Sequence, residues 1–254
     1  DRSREYIEAR IRAGVMEHWV AALLDKIGMG ARMRREGLEH AGIEISFSGR
    51  RRRIDLKRLT DGKSIMVYGQ QEFVKDFVAA RLAAGLPIHF EVRDVSIHDF
   101  TGDSPKIRFT GSDGERREIE SDFIGGCDGY HGVCRQSIPA DELAVFERTY
   151  PFAWLGILAE TAPSSEELIY SNHRNGFALH SMRSPELTRL YLQVDPDEDI
   201  ANWPDDRVWE ELQTRLTQDG DWRLNQGAVL QKGITPMRSF VCDCLLYTSP
   251  SPRD

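Results

Sequence analysis

Cysteine is scarce in this chain, and the few present have no spacing that metal or redox chemistry would use. Cys127, Cys134, Cys242 and Cys244 are the four among 254 residues. No C-x-x-C pair occurs, and no cysteine stands with histidine at zinc-site intervals. The seven histidines are scattered without an H-E-x-x-H motif, so no metal is expected. Long apolar runs are missing too: nothing approaches the ~20 residues that a membrane-spanning helix needs. The charged start Asp1-Arg2-Ser3-Arg4-Glu5 is unlike a secretory signal. Net positive charge is absent, the formal value being −8, which argues against a general nucleic-acid or membrane binder. No G-x-S-x-G elbow, no G-x-x-x-x-G-K-S/T loop and no two-carboxylate motif stands out. What these absences leave is a metal-free cytoplasmic protein with reduced thiols. Its 40% hydrophobic and 29% charged residues are ordinary for a globular chain.

Both ends read differently from the middle. The start lacks methionine and runs at once into helical periodicity, like a cut through an element. Residues 242–254 close on Ser249-Pro250-Ser251-Pro252, which can neither pair as a central strand nor continue a helix. They read as a non-native tail, like translated adapter sequence, with a disordered native tail as the alternative.

Between the ends, helical and strand periodicities alternate, as in an α/β layer architecture. Val15–Ile27 predicts an amphipathic helix with Val20, Leu23, Leu24 and Ile27 on one face. Residues 42–47 alternate strictly as a half-buried strand, followed by short strands at 53–56 and 64–68. A helix is predicted over 72–82, ended by Gly85, then strands at 88–97, 106–110 and 117–119. The Arg50–Arg53 run with Lys57 and Arg58 reads as a solvated strand or hairpin edge, a polyanion site being the alternative. From Phe152 onward four strand candidates, 154–158, 167–170, 177–183 and 189–194, suggest an antiparallel meander. A helix over 203–216 and a strand or strand pair over 227–241 follow.

Three constellations could carry chemistry. Arg10-Ile11-Arg12-Ala13-Gly14 before the first helix could grip a phosphate or another anion; two surface arginines on a helical turn would look the same. Gly125-Gly126-Cys127-Asp128-Gly129-Tyr130-His131-Gly132 with Arg135 lets backbone approach a ligand while a carboxylate accepts from a sugar hydroxyl; an ordinary Asp-Gly turn is the alternative. On strand 177–183, Phe177, Leu179, Ser181 and Arg183 share a face, as do Arg189, Tyr191 and Gln193 on the next strand. If those faces coincide, Arg183 could hold a carboxylate bidentately beside Ser181 and Tyr191, with Tyr170 meeting a phenol at the other end. A solvent-facing polar sheet surface is the plain alternative.

Together, seven strings resemble the class A flavoprotein aromatic hydroxylases, in particular the branch that acts on 4-hydroxybenzoate. They are RIRAGVME (10–17), RRRIDLKRL (51–59), VYGQ (67–70), GCDGYHG (126–132), RQSIPA (135–140), YPFAWLG (150–156) and ELIYSNH (167–173). The resemblance runs in order from about Tyr6 to Val241. It implies an α/β chain: residues 1–145 as a Rossmann-like FAD/NAD(P)-binding domain without its first βαβ unit, and 146–241 as an antiparallel or mixed β-sheet substrate domain. Strands within 42–68 are expected to pack with the second part. It further implies that Arg10, Ile11, Arg12, Ala13, Gly14, Val15, Gln70 and Asp128 serve FAD, Arg12 at the pyrophosphate. His131 and Arg238 would bind NAD(P)H, assisted by Arg10 and Tyr6. Ser181, Met182, Arg183 and Tyr191 would bind the substrate, and Tyr170 would hydrogen-bond and help ionise its phenol. The implied reaction consumes NAD(P)H and O2, forms a flavin hydroperoxide and yields 3,4-dihydroxybenzoate, in a cytoplasmic homodimer. The G-x-G-x-x-G unit, a later Gly-Asp motif and a second relay tyrosine do not occur here, so the chain as written is expected to be inactive and to bind FAD poorly. A related hydroxybenzoate hydroxylase and a non-catalytic aromatic-acid binding module are the competing readings.

Overall fold

The computed structural model describes residues 2–10, 13–217 and 221–243. In chain order the strands are β1 (Val15–Met16), β2 (Leu38–His40), β3 (Gly42–Phe47), β4 (Arg50–Asp55), β5 (Ile65–Val67), β6 (Arg93–His98) and β7 (Lys106–Thr110). They continue as β8 (Arg116–Glu120), β9 (Ala144–Glu160), β10 (Ile169–Asn172), β11 (Ala178–Met182), β12 (Leu187–Val194) and β13 (Ala228–Asp243). Two compact units interleave along the chain: a larger one of residues 13–77 and 149–238, and a smaller one of 2–10, 78–148 and 239–243.

The larger unit is built on a seven-stranded sheet in the order β13-β9-β12-β11-β10-β3-β4. Strict alternation in β12, where Thr188, Leu190, Leu192 and Val194 are buried, puts one face against the Asp205–Leu216 helix. Ala153, Leu155, Ile157, Ile169, Ala178, Leu190 and Leu192 form that core with Val208, Trp209, Leu212 and Leu216. The sheet is not the sequential meander expected. β10, β11 and β12 do follow one another antiparallel, but β9 pairs with β12, so β10 is left open to β3, which lies parallel to it. The arginine run lies on β4, at the sheet edge. Arg51 is nonetheless held inside by Glu44, the Leu216 carbonyl and the Trp222 ring, and Arg53 grips Glu167 with two hydrogen bonds of 2.7 Å.

A second sheet in this unit, β1-β5-β2, corrects the predicted Val15–Ile27 helix. Val15 and Met16 pair with β5, and the helix begins only at His18. Its buried residues are Ala21 and Leu24, whereas Leu23 and Ile27 stay exposed. Met16, Leu24, Met33, Met66 and Tyr68 form a small core here. In the smaller unit β6, β7 and β8 make an antiparallel sheet. The strand predicted over 88–97 starts late, at Arg93, with a bulge and a positive φ at Asp94. Cys242 and Asp243 continue β13 rather than falling outside the fold; the rest of the expected tail, 244–254, lies outside the described residues.

His180, on the core face of β11, is fully buried. Its Nε2 accepts the Ser164 amide at 3.0 Å, so the proton sits on Nδ1, which has no partner. Burial, reinforced by Arg51 and by His40, pulls its pKa down to about 4. The native state therefore refuses a proton that the unfolded chain accepts near pH 6.5, so stability is complete above that pH and is lost as pH falls toward 4. A shift of this size corresponds to roughly 3 kcal/mol. The urea midpoint is expected to drop between pH 7 and 4.5, and His180→Asn, which keeps an acceptor for Ser164, is expected to flatten the slope. An unaltered slope in that variant would assign the acid sensitivity elsewhere.

Candidate active site

The sheet face away from the helix carries the residues singled out by alternation. Register brings them together: Tyr170 pairs with Leu179, Leu179 with Tyr191 and Tyr191 with Gly156, while Ser181 pairs with Arg189 and Arg189 with Leu158. The two polar faces therefore coincide. Arg183 follows one residue past β11; its Nη1 donates to Ser181 Oγ at 3.3 Å and to the Met182 carbonyl at 3.2 Å. Its Nε is buried without a partner. Burial lowers the Arg183 pKa, Tyr191 beside it acts in the opposite direction, and Arg189 adds to the lowering. A guanidinium with an unused buried donor suits an anionic ligand, because the ligand satisfies both charge and hydrogen bond.

An aromatic row leads away from this end. Ring centroids are 6.3 Å apart for Tyr170–Phe177, 5.2 Å for Phe177–Trp154 and 5.5 Å for Trp154–Phe152. Burial pushes the Tyr170 hydroxyl above its ordinary pKa, so it is neutral and able to donate at neutral pH. Leu179, the position opposite Tyr170, and Arg183 are separated by roughly 13 Å if the backbone between them is extended. Met182 does not join this face: it alternates to the core side and is 1% exposed, contributing only its carbonyl. Two residues that sequence reasoning left without a role belong here. Arg189 lies over the Tyr191 ring at 5.0 Å, with its own Nε buried and unpartnered. Its head group lies over Gly156, the position opposite Tyr191, where a Cβ would stand 2.7 Å from the Arg189 Nη2.

The same unit holds part of the first constellation. Gln70 N–H donates to the Ala13 carbonyl at 2.9 Å and Tyr68 N–H to the Gly14 carbonyl at 2.8 Å, so Ala13, Gly14, Val15 and Gln70 gather at the β1–β5 junction. Ile11 and Arg12 lie outside the described residues. Arg238, exposed, is on β13.

The smaller unit holds Tyr6, Arg10, Asp128 and His131. Tyr6 is on the Arg4–Ala9 helix and stacks under Arg2; Arg10 is the exposed residue at its C-terminal end. The Asp128 carboxylate accepts the Cys134 amide at 3.0 Å, fixing the loop ahead of the Val133–Gln136 helix. Burial opposes its ionisation, but hydrogen bonds from Cys134 and from the amides of Asp128 and Val133 outweigh this and hold its pKa low. Gly132 is needed there, since a Cβ would meet that carboxylate. His131, exposed, packs edge-on to Tyr130 at 4.8 Å, and Arg135 stacks on Tyr130 and Phe240.

The profile of the FAD binding domain family matches residues 1–246, and the chain belongs to that family. It is 48% identical over 246 residues to the p-hydroxybenzoate hydroxylase of Acinetobacter baylyi, which covers 97% of this chain and 60% of that protein. The chain thus spans about 60% of the length of this relative. Among solved structures, p-nitrophenol 4-monooxygenase PnpA from Pseudomonas putida DLL-E4 matches with a TM-score of 0.74 at 16% identity, over 92% of this chain and 60% of that one. PqsL of P. aeruginosa, in complex with 2-aminobenzoylacetate, matches with a TM-score of 0.68 at 19% identity, over 86% and 59%. Both share the fold.

Proposed function

We propose that this protein is an FAD-dependent monooxygenase that uses NAD(P)H and O2 to convert 4-hydroxybenzoate to 3,4-dihydroxybenzoate, acting as a cytoplasmic homodimer. The observation that carries this reading is the shared face of β10, β11 and β12: an arginine with an unpartnered buried Nε at one end, a neutral half-buried tyrosine on the other strand, and an aromatic row beside them. The 48% identity to a p-hydroxybenzoate hydroxylase supports the same substrate.

FAD held by this chain would supply the redox and oxygen-transfer chemistry, with NAD(P)H as the reductant. In the larger unit Ala13–Val15 and Gln70 gather at one strand junction with Ala13 and Val15 exposed, and in the smaller unit the Asp128 carboxylate is ionised and fixed beside Gly129 and Gly132; each suits a part of FAD. Ile11, Arg10 and Arg12 complete the FAD set by resemblance, and His131, Arg238, Tyr6 and Arg10 the NAD(P)H set. Arg183 holds the substrate carboxylate with Ser181 and Tyr191, which fixes the ring's direction along the sheet. Tyr170 donates to the phenol oxygen. That hydrogen bond favours the phenolate, and the phenolate enriches the ortho carbon in electrons.

Because the 254 residues alone are expected to bind FAD poorly and turn over little, the test is turnover of an FAD-loaded form spanning the full length of the p-hydroxybenzoate hydroxylase relative, with NADPH or NADH and 4-hydroxybenzoate. Acid-dependent oxidation of the nicotinamide and chromatographic detection of 3,4-dihydroxybenzoate are expected. Product from a different hydroxybenzoate alone would move the protein to a related hydroxylase, and acid binding indifferent to FAD would leave only a binding module.

A further inference from the structure

Nothing in the backbone of Gly14 demands glycine. It is not among the residues with positive φ, so any L-amino acid could adopt its main-chain conformation. The position nevertheless has no room. A Cβ built there would stand 2.5 Å from Nη1 of Arg183, 2.7 Å from its Cζ and 3.1 Å from its Nε. Gly14 is buried, and its carbonyl is anchored by the Tyr68 amide. The opposing group is the tip of a flexible side chain, held by two hydrogen bonds of 3.2 and 3.3 Å. A methyl at position 14 is therefore relieved by moving the guanidinium, at little cost to the fold.

We infer that Gly14 is a positioning residue for Arg183 and thereby sets the preference for a carboxylated aromatic over a neutral one. The inference rests on the proposed role of Arg183. It gives a residue of the FAD loop a second task, at the substrate, and makes the loop and the acid-binding arginine share one contact. A side chain at position 14 tilts the guanidinium off Ser181 Oγ and out of bidentate range of a carboxylate. It removes nothing that a neutral phenol would use.

The test compares wild type, Gly14→Ala, Arg183→Lys and the double variant as FAD-loaded proteins, titrated with 4-hydroxybenzoate and with neutral 4-hydroxybenzamide, alongside the FAD dissociation constant and a thermal melt. Loss of a charge-assisted hydrogen bond predicts about tenfold or more weaker acid binding in Gly14→Ala. Amide binding and melting should move far less, with both titrations made at saturating FAD so that a change in FAD affinity at this loop does not enter the comparison. With lysine at 183, whose slimmer head leaves space, the alanine should cost little. Equal weakening of acid and amide, an equal cost in the lysine background, or unchanged acid binding in a wild type that does bind acid would each overturn the inference alone. A wild type that binds no acid would overturn the functional reading and this inference together.

Discussion

Tyr170→Phe is expected to slow hydroxylation by about 100-fold while changing the 4-hydroxybenzoate dissociation constant only a few-fold. The substitution deletes one oxygen and keeps the ring, whose centroid lies 6.3 Å from Phe177, so the aromatic row is preserved. What disappears is a neutral donor: burial raises the Tyr170 pKa, so the wild-type hydroxyl keeps its proton and offers it to the substrate oxygen. Without it, the bound acid stays a neutral phenol at pH 7. An ultraviolet difference spectrum reads this directly, because a phenolate absorbs at longer wavelength than a phenol. A wild-type rate with a phenolate band in the variant would remove Tyr170 from the chemistry.

Arg183→Gln is expected to give the opposite signature, weakening acid binding by about 100-fold with kcat largely recovered at saturating substrate. Truncating one side of a buried charge pair costs about 2–5 kcal/mol, and about 2.8 kcal/mol is a factor of 100. Glutamine keeps polarity and some length, so the loss reports charge and fork geometry. Arg183→Lys should fall between, since a point charge cannot reproduce two parallel hydrogen bonds. Equilibrium titration of both variants checks the order, and a Kd within threefold of wild type in Arg183→Gln would place the carboxylate elsewhere.

Much of this site was legible because strand alternation is a local property. Ser181 and Arg183, and Arg189 and Tyr191, can be put on common faces from period two alone, and register then brought the faces together. Which strand lies beside which is not local. The expected meander would set the 154–158 strand beside 167–170, whereas pairing β9 with β12 sets Trp154 opposite Gln193 and Gly156 opposite Tyr191. The resemblance names Met182 by position, while alternation sends its side chain to the core and leaves its carbonyl to Arg183. The predicted first helix failed for a tertiary reason: backbone hydrogen bonds to the β5 segment outcompete helical propensity at Val15 and Met16. Gly14 against Arg183 had no sequence signal at all, since the contact joins segments whose proximity only the fold creates.

The interleaving of the larger unit also bears on how the chain is made. β3 and β4 emerge from the ribosome early, yet their partners come much later: Arg53 meets Glu167, 114 residues on, and Arg51 meets the Leu216 carbonyl, 165 residues on. Until then the β3–β4 hairpin has an unpaired edge beside an arginine-rich strand, and closing so long a loop is slow. The arginines then act as guards during synthesis, because repelling charges discourage pairing between hairpins of neighbouring nascent chains. Replacing Arg50 and Arg52 by threonine should accordingly lower the soluble yield from rapid expression more than it lowers the stability of the protein once folded.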